Sequence, residues 1–178
     1  MKMIKRESYM SRIRPFIGSD LIKVLTGIRR SGKSVMLQLI KEELISSGVD
    51  SHQFISINFE NMSFHHLCNA NALHDHIIHQ SSGIDGKVYL FFDEIQEVLD
   101  WEKCINSLRV EIDCDIYITG SNAKLLSGEL ATYLAGRYVI HFPFKNLLTY
   151  IKVFILKQIY VNVLINISSS AECLILQI

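Results

Sequence analysis

Apolar residues along this chain gather in short runs. Longer stretches, in which apolar positions recur every three or four residues, separate them. The runs lie at 21–26, 54–59, 87–92, 115–119 and 138–142. β-Branched and aromatic residues dominate them, and turn-forming residues bound them, which predicts strands. The run at 87–92 is continuously apolar after its lysine, as in a central parallel strand covered on both faces. The intervening stretches predict helices at 7–17, 35–44, 64–80, 101–110 and 125–134. Strands alternating with helices predict an α/β fold with a parallel sheet and right-handed crossovers.

The connection after the first run carries chemistry. Gly27-Ile28-Arg29-Arg30-Ser31-Gly32-Lys33-Ser34 fits G-x-x-x-x-G-K-[ST] between a strand and a helix, the context of a phosphate-binding P-loop. Its backbone from Gly27 through Arg30, Ser31 and Gly32 to Val35, with the helix N-terminus, makes a site for anionic oxygens. Gly27 and Gly32 permit backbone angles and approaches that a Cβ would block. Lys33 is expected to reach the β- and γ-phosphates of a nucleotide, and the Ser34 hydroxyl to ligate Mg²⁺.

The run at 87–92 ends in Asp93-Glu94, four apolar residues before two carboxylates, the Walker B pattern. Asp93 is assigned to the magnesium ion and Glu94 to the attacking water. Alternation at a strand end lets neighbouring side chains take separate tasks. The run at 115–119 ends in Gly120-Ser121-Asn122. Ligands of open α/β sheets sit at the carboxyl ends of the strands, so Ser121 or Asn122 is a candidate sensor of the γ-phosphate or the water; an ordinary turn is the alternative. Arg137 is a candidate arginine finger, acting on its own site or a neighbouring subunit's; a plain salt bridge is the alternative. A small-molecule kinase would need an arginine-rich lid after the third or fourth strand, and none is evident.

The composition changes this picture little. The 178 residues suffice for one domain with a core, and Lys+Arg and Asp+Glu both number 18. Global charge therefore argues for neither nucleic acid nor membrane. A basic N-terminus (Lys2, Lys5, Arg6, Arg12, Arg14) reads as a partner contact or a solvated face. Cys68, Cys104, Cys114 and Cys173 show no zinc spacing and suit a reducing cytosol, and the N-terminus lacks the apolar core of a signal peptide, so a cytoplasmic location is expected. Five of the seven histidines (His65, His66, His74, His76, His79) fall in the 64–80 helix without a metal-binding pattern. After Pro143 the chain turns almost wholly apolar. The stretch 146–167 is long enough for a bilayer, but Lys152 and Lys157 argue against a membrane anchor.

Taken together, TGIRRSGKS, DEIQ…W and TGSN…LAGR resemble a prokaryotic family of AAA-like P-loop ATPases, over about residues 8–142. The resemblance implies an ASCE-type core, a three-layer α/β/α sandwich with a five-stranded parallel sheet in the order 5-1-4-3-2. It implies ATP and Mg²⁺ as cofactors, phosphate binding by Gly32, Lys33 and Ser34, magnesium on Asp93, a catalytic Glu94, and sensing by Ser121 and Asn122. Arg137 matches the family's GR position. Residues 1–142 are read as the ATPase domain, and 143–178 as the remnant of a truncated continuation into the family's usual C-terminal domain. The expected activity is Mg-dependent ATP hydrolysis; a nucleotide-binding switch with little turnover is the alternative. A homo-oligomer and a DNA or protein partner stay open.

Overall fold

The computed structural model describes residues 7–27, 30–120 and 137–144, the last six by backbone alone. The predicted sensor residues Ser121 and Asn122, the 125–134 helix and the apolar tail from 145 lie outside the described residues.

The element order is α1 (Glu7–Ile13), β1 (Ile22–Gly27), α2 (Lys33–Ser46), β2 (Phe54–Asn58), α3 (Ala70–Ser81), β3 (Val88–Asp93), α4 (Trp101–Glu111), β4 (Cys114–Gly120) and β5 (Tyr138–Phe144). β1 to β4 stand in the spatial order 1-4-3-2, and β5 lies on the free side of β1, so the sheet reads β2-β3-β4-β1-β5. Every pairing is parallel.

Two expected helices are cut short. The 7–17 stretch gives α1 and then a 3₁₀ turn, Arg14–Phe16, because Pro15 lacks an N–H and crowds the preceding turn. The 64–80 stretch splits into a 3₁₀ segment, Met62–Leu67, and α3. Between them Cys68 O accepts from Leu99 N at 3.1 Å, and Ala70 N donates to Leu99 O at 3.0 Å. Asn69 is thereby held extended, and its side chain caps α3 at Ala72 N, 2.9 Å away.

Alternation along the strands sorts the core into two layers. Ile22 and Val24 of β1, Val88, Leu90 and Phe92 of β3, and Ile116 and Ile118 of β4 pack with α3 and α4. Leu25, Phe91 and Tyr117, on the other face, pack with α1 and α2. Each large side chain so buried contributes about 1.5–3 kcal/mol, so strands covered on both faces are the firmest part of the sheet.

One charged pair sits inside the second layer, at the N-terminal end of the sheet. Lys23 of β1 and Asp115 of β4 form an ion pair with both side chains 0% exposed. Lys23 Nζ also donates to Ser19 O at 2.8 Å. The other Asp115 oxygen accepts from Gly18 N at 2.7 Å and from the Tyr117 hydroxyl at 2.8 Å. Burial pulls the Lys23 ammonium below the ordinary lysine range, and Asp115 restores part of that shift. Of the basic N-terminal residues, Arg14 is taken up by carboxylates of Glu7 and Glu43. Among the described residues no helix is long and apolar enough to cross a membrane, and no group of three His, Cys, Asp or Glu is placed to hold a metal ion.

Candidate functional site

β1 ends at Gly27, and α2 begins at Lys33 after a tight loop. Arg30 and Gly32 take left-handed backbone angles, with φ of 62° and 91°. At Gly32 a side chain would be strained in that conformation. Gly32 is also the N-cap of α2, and no side chain caps this helix. No side chain caps the first N–H groups of this 14-residue helix, which lie at the loop, a site suited to an anion. Ile28 and Arg29 lie outside the described residues.

Lys33 is buried, and its Nζ donates to Gly27 O at 3.3 Å. Its ammonium also lies 3.1 Å from Oε1 of Glu94. Ser34 and Asp93 line one cavity of about 510 Å³ between α2 and the ends of β2 and β3, with Gln38, Lys41, Asn58 and Phe64. Lys33, Ser34, Asp93 and Glu94 are thus brought together at the C-terminal end of the sheet. β3 and β1 are not neighbours there; β4 runs between them.

β4 supplies a residue that sequence reasoning passed over. The Thr119 hydroxyl, fully buried, donates to Asp93 Oδ1 and accepts from Glu94 N at 3.0 Å. One hydroxyl therefore fixes both the carboxylate of Asp93 and the backbone of Glu94. In the sequence alone Thr119 is only the last residue of a strand. Its inward position two residues after Tyr117 was the available signal. Asn58, opposite Asp93 in the β2–β3 register, was likewise missed. Glu94 itself is left-handed, with φ 56° and ψ 48°, so the chain turns sharply as it leaves β3.

Arg137 is placed elsewhere. Its carbonyl accepts from Ile22 N at 2.9 Å, at the N-terminal end of β1. Gly27 is five residues further along that strand, about 16 Å at the usual rise. The Arg137 guanidinium donates to Asn106 Oδ1 on α4 at 2.8 Å. Arg137 is thus not brought together with Lys33 and Glu94 of its own chain: parallel pairing of β5 with β1 starts at the opposite end of the sheet.

The sequence model of a family described as AAA domain matches residues 19–158. The chain belongs to that family. This AAA domain is 44% identical over 137 residues to an uncharacterized protein of Haemophilus influenzae, covering 77% of this chain and 34% of that protein. It is 38% identical over 117 residues to the uncharacterized protein MJ1544 of Methanocaldococcus jannaschii, covering 65% of this chain and 24% of that protein. The chain thus spans about a third and about a quarter of the length of these two relatives. Among solved structures, AMPPCP-bound DnaA from Aquifex aeolicus aligns with a TM-score of 0.48 at 17% identity, covering 78% of this chain and 47% of that one.

Proposed function

We infer that this AAA domain binds ATP with magnesium and hydrolyses it. The observation that carries the reading is the convergence of Lys33, Ser34, Asp93 and Glu94 around the uncapped N-terminus of α2. The donor set suits a triphosphate with a hard cation: loop N–H groups and an ammonium for phosphate oxygens, a hydroxyl and a carboxylate for the metal. Ser34 and Asp93 would hold the magnesium ion, which when bound supplies neutralisation of phosphate charge. Thr119 holds Asp93 in the orientation this requires. Lys33 leaves Glu94 for the phosphates, and Glu94 then orients the water and takes its proton. Ser121 and Asn122 would report the γ-phosphate. For Arg137 only a role in a neighbouring subunit of a homo-oligomer stays within the proposal.

A second reading has one observation of its own. The Glu94 carboxylate is engaged by Lys33, which suits a nucleotide-binding switch with little turnover. What either activity would drive, on DNA or on a protein in the cytoplasm, belongs to the rest of the longer relatives.

Titration with Mg-ATP tests the binding. Lys33→Ala is expected to weaken it by about a hundredfold, or roughly 2.7 kcal/mol; equal affinity would sink the assignment. Steady-state turnover then separates engine from switch. Glu94→Gln should retain binding and lose on the order of a hundredfold in kcat.

A further inference from the structure

Each oxygen of the Glu94 carboxylate has its own partner. Lys33 Nζ faces Oε1 at 3.1 Å, and Gln96 Nε2 donates to Oε2 at 2.7 Å. The lysine contact is one that phosphate would take over; the amide contact is not. Gln96 reaches back from a 3₁₀ turn, Ile95–Glu97, because the left-handed backbone of Glu94 folds the chain over the strand end.

Charge fixes the orientation of the Gln96 amide. Its amino group faces Glu94 and, at 3.5 Å, Glu97 Oε1. Turning the amide over would set its carbonyl oxygen against the carboxylates. In the orientation observed, Gln96 Oε1 is buried with no partner among the described residues. A buried acceptor without a donor costs stability. A left-handed non-glycine residue beside it costs more. These local costs keep one thing in place, an N–H donor on Glu94.

We propose that Gln96 is the positioning residue for Glu94, keeping its carboxylate aimed after Lys33 turns to the phosphates. The proposal rests on the ATPase reading. Gln96 keeps hold of Oε2, while Oε1, released by the lysine, accepts the proton of the attacking water. The water O–H bond breaks, its oxygen forms a bond to the γ-phosphorus, and the bond from that phosphorus to the ADP oxygen breaks. Gln96 touches none of the reacting atoms and acts through Glu94.

The test compares the full wild-type chain with Gln96→Met, which keeps length and loses both hydrogen-bonding groups, and with Gln96→Glu, which faces Glu94 with a like charge. kcat, ATP Kd and Tm are measured for each, with Glu94→Gln as control. Gln96→Met is expected to lose on the order of tenfold or more in kcat, with Kd within about twofold and Tm not lowered, since the orphaned carbonyl is gone. Gln96→Glu should lose more, and it carries the test if the methionine variant fails to fold. Wild-type kcat in Gln96→Met beside an inactive Glu94→Gln overturns this inference alone. A joint fall of kcat, affinity and Tm also overturns it, because a merely structural role predicts that pattern. Absence of turnover in the wild-type chain overturns this inference together with the ATPase reading it rests on.

Discussion

Two buried lysines of this domain face carboxylates at opposite ends of the same sheet. Lys23 and Asp115, at the N-terminal end, are fully buried and each has further partners: Lys23 also donates to a backbone carbonyl, and Asp115 also accepts from a backbone N–H and the Tyr117 hydroxyl. Lys33 and Glu94, at the C-terminal end, are 4% and 15% exposed. Their surroundings hold a left-handed glutamate and an amide oxygen without a partner among the described residues. The first pair has nowhere else to go, whereas the second has a phosphate-binding loop beside it. The same chemical pairing is thus a fixed part of the fold at one end and an exchangeable contact at the other.

Removing a lysine from each pair is the hardest test of that contrast. Lys23→Ala leaves Asp115 charged and buried, and is expected to cost about 3–5 kcal/mol. Lys33→Ala leaves Glu94 with Gln96 and partial access to water, so the change should be about 1 kcal/mol or less. Urea denaturation of the two variants reads both. Equal losses would show that the second pair is as structural as the first, and the contrast would be gone.

A smaller effect is expected where β4 meets the site. Thr119→Val removes the donor to Asp93 and the acceptor of Glu94 N–H, at a cost of about 1–3 kcal/mol in stability. The magnesium concentration needed to support ATP binding should rise with it, because Asp93 is no longer held. Thr119→Ser keeps the hydroxyl and should restore the magnesium dependence. If valine leaves that dependence unchanged, the Thr119 contact belongs with the structural end of the sheet.

The contrast also marks what could be read before folding. The P-loop and the Asp93-Glu94 strand end were legible because each motif is contiguous and its strand and helix flanks are set by local periodicity. Lys23 was not legible: inside an apolar run it looked like an interruption, and its partner lies 92 positions away. Thr119 is 26 positions from Asp93 and acquires its role only when β4 inserts between β1 and β3. The break at Asn69 depends on pairing with Leu99, a long-range bond that helical periodicity does not anticipate. The position of Arg137 was not legible for the same reason, since strand register decides which end of the sheet it joins. Gln96 sat inside a motif quoted for its carboxylates, and its amide had no assigned task.

The smallest effect concerns protons at the fixed pair. Burial lowers the Lys23 ammonium from its ordinary 10.5, with Asp115 opposing. Between that lowered value and 10.5, the folded chain has released a proton that the unfolded chain still binds. Linkage then makes this contribution to stability rise with pH. The neutral variant Lys23→Met/Asp115→Asn lacks it, while the asparagine oxygen still serves Gly18 and Tyr117. Wild-type stability minus variant stability should therefore grow as pH rises toward 10.5. Cys104 and Cys114, pushed up by burial to about 12 from 9.0, act in the opposite sense. Their unfolded thiols ionise first, so stability falls as pH climbs past 9.0; Cys104 does so in both proteins alike, and of Cys114 only the part of its shift due to Asp115 stays in the difference, with a falling sign. Tyr117, raised by burial and by Asp115, adds a falling contribution to the wild type once pH passes its ordinary 10.0. A rise of the difference with pH below the ordinary 10.0 of Tyr117 thus reports Lys23. A flat difference would mean that this lysine is not desolvated, and the two ends of the sheet would then hold their charges on the same terms.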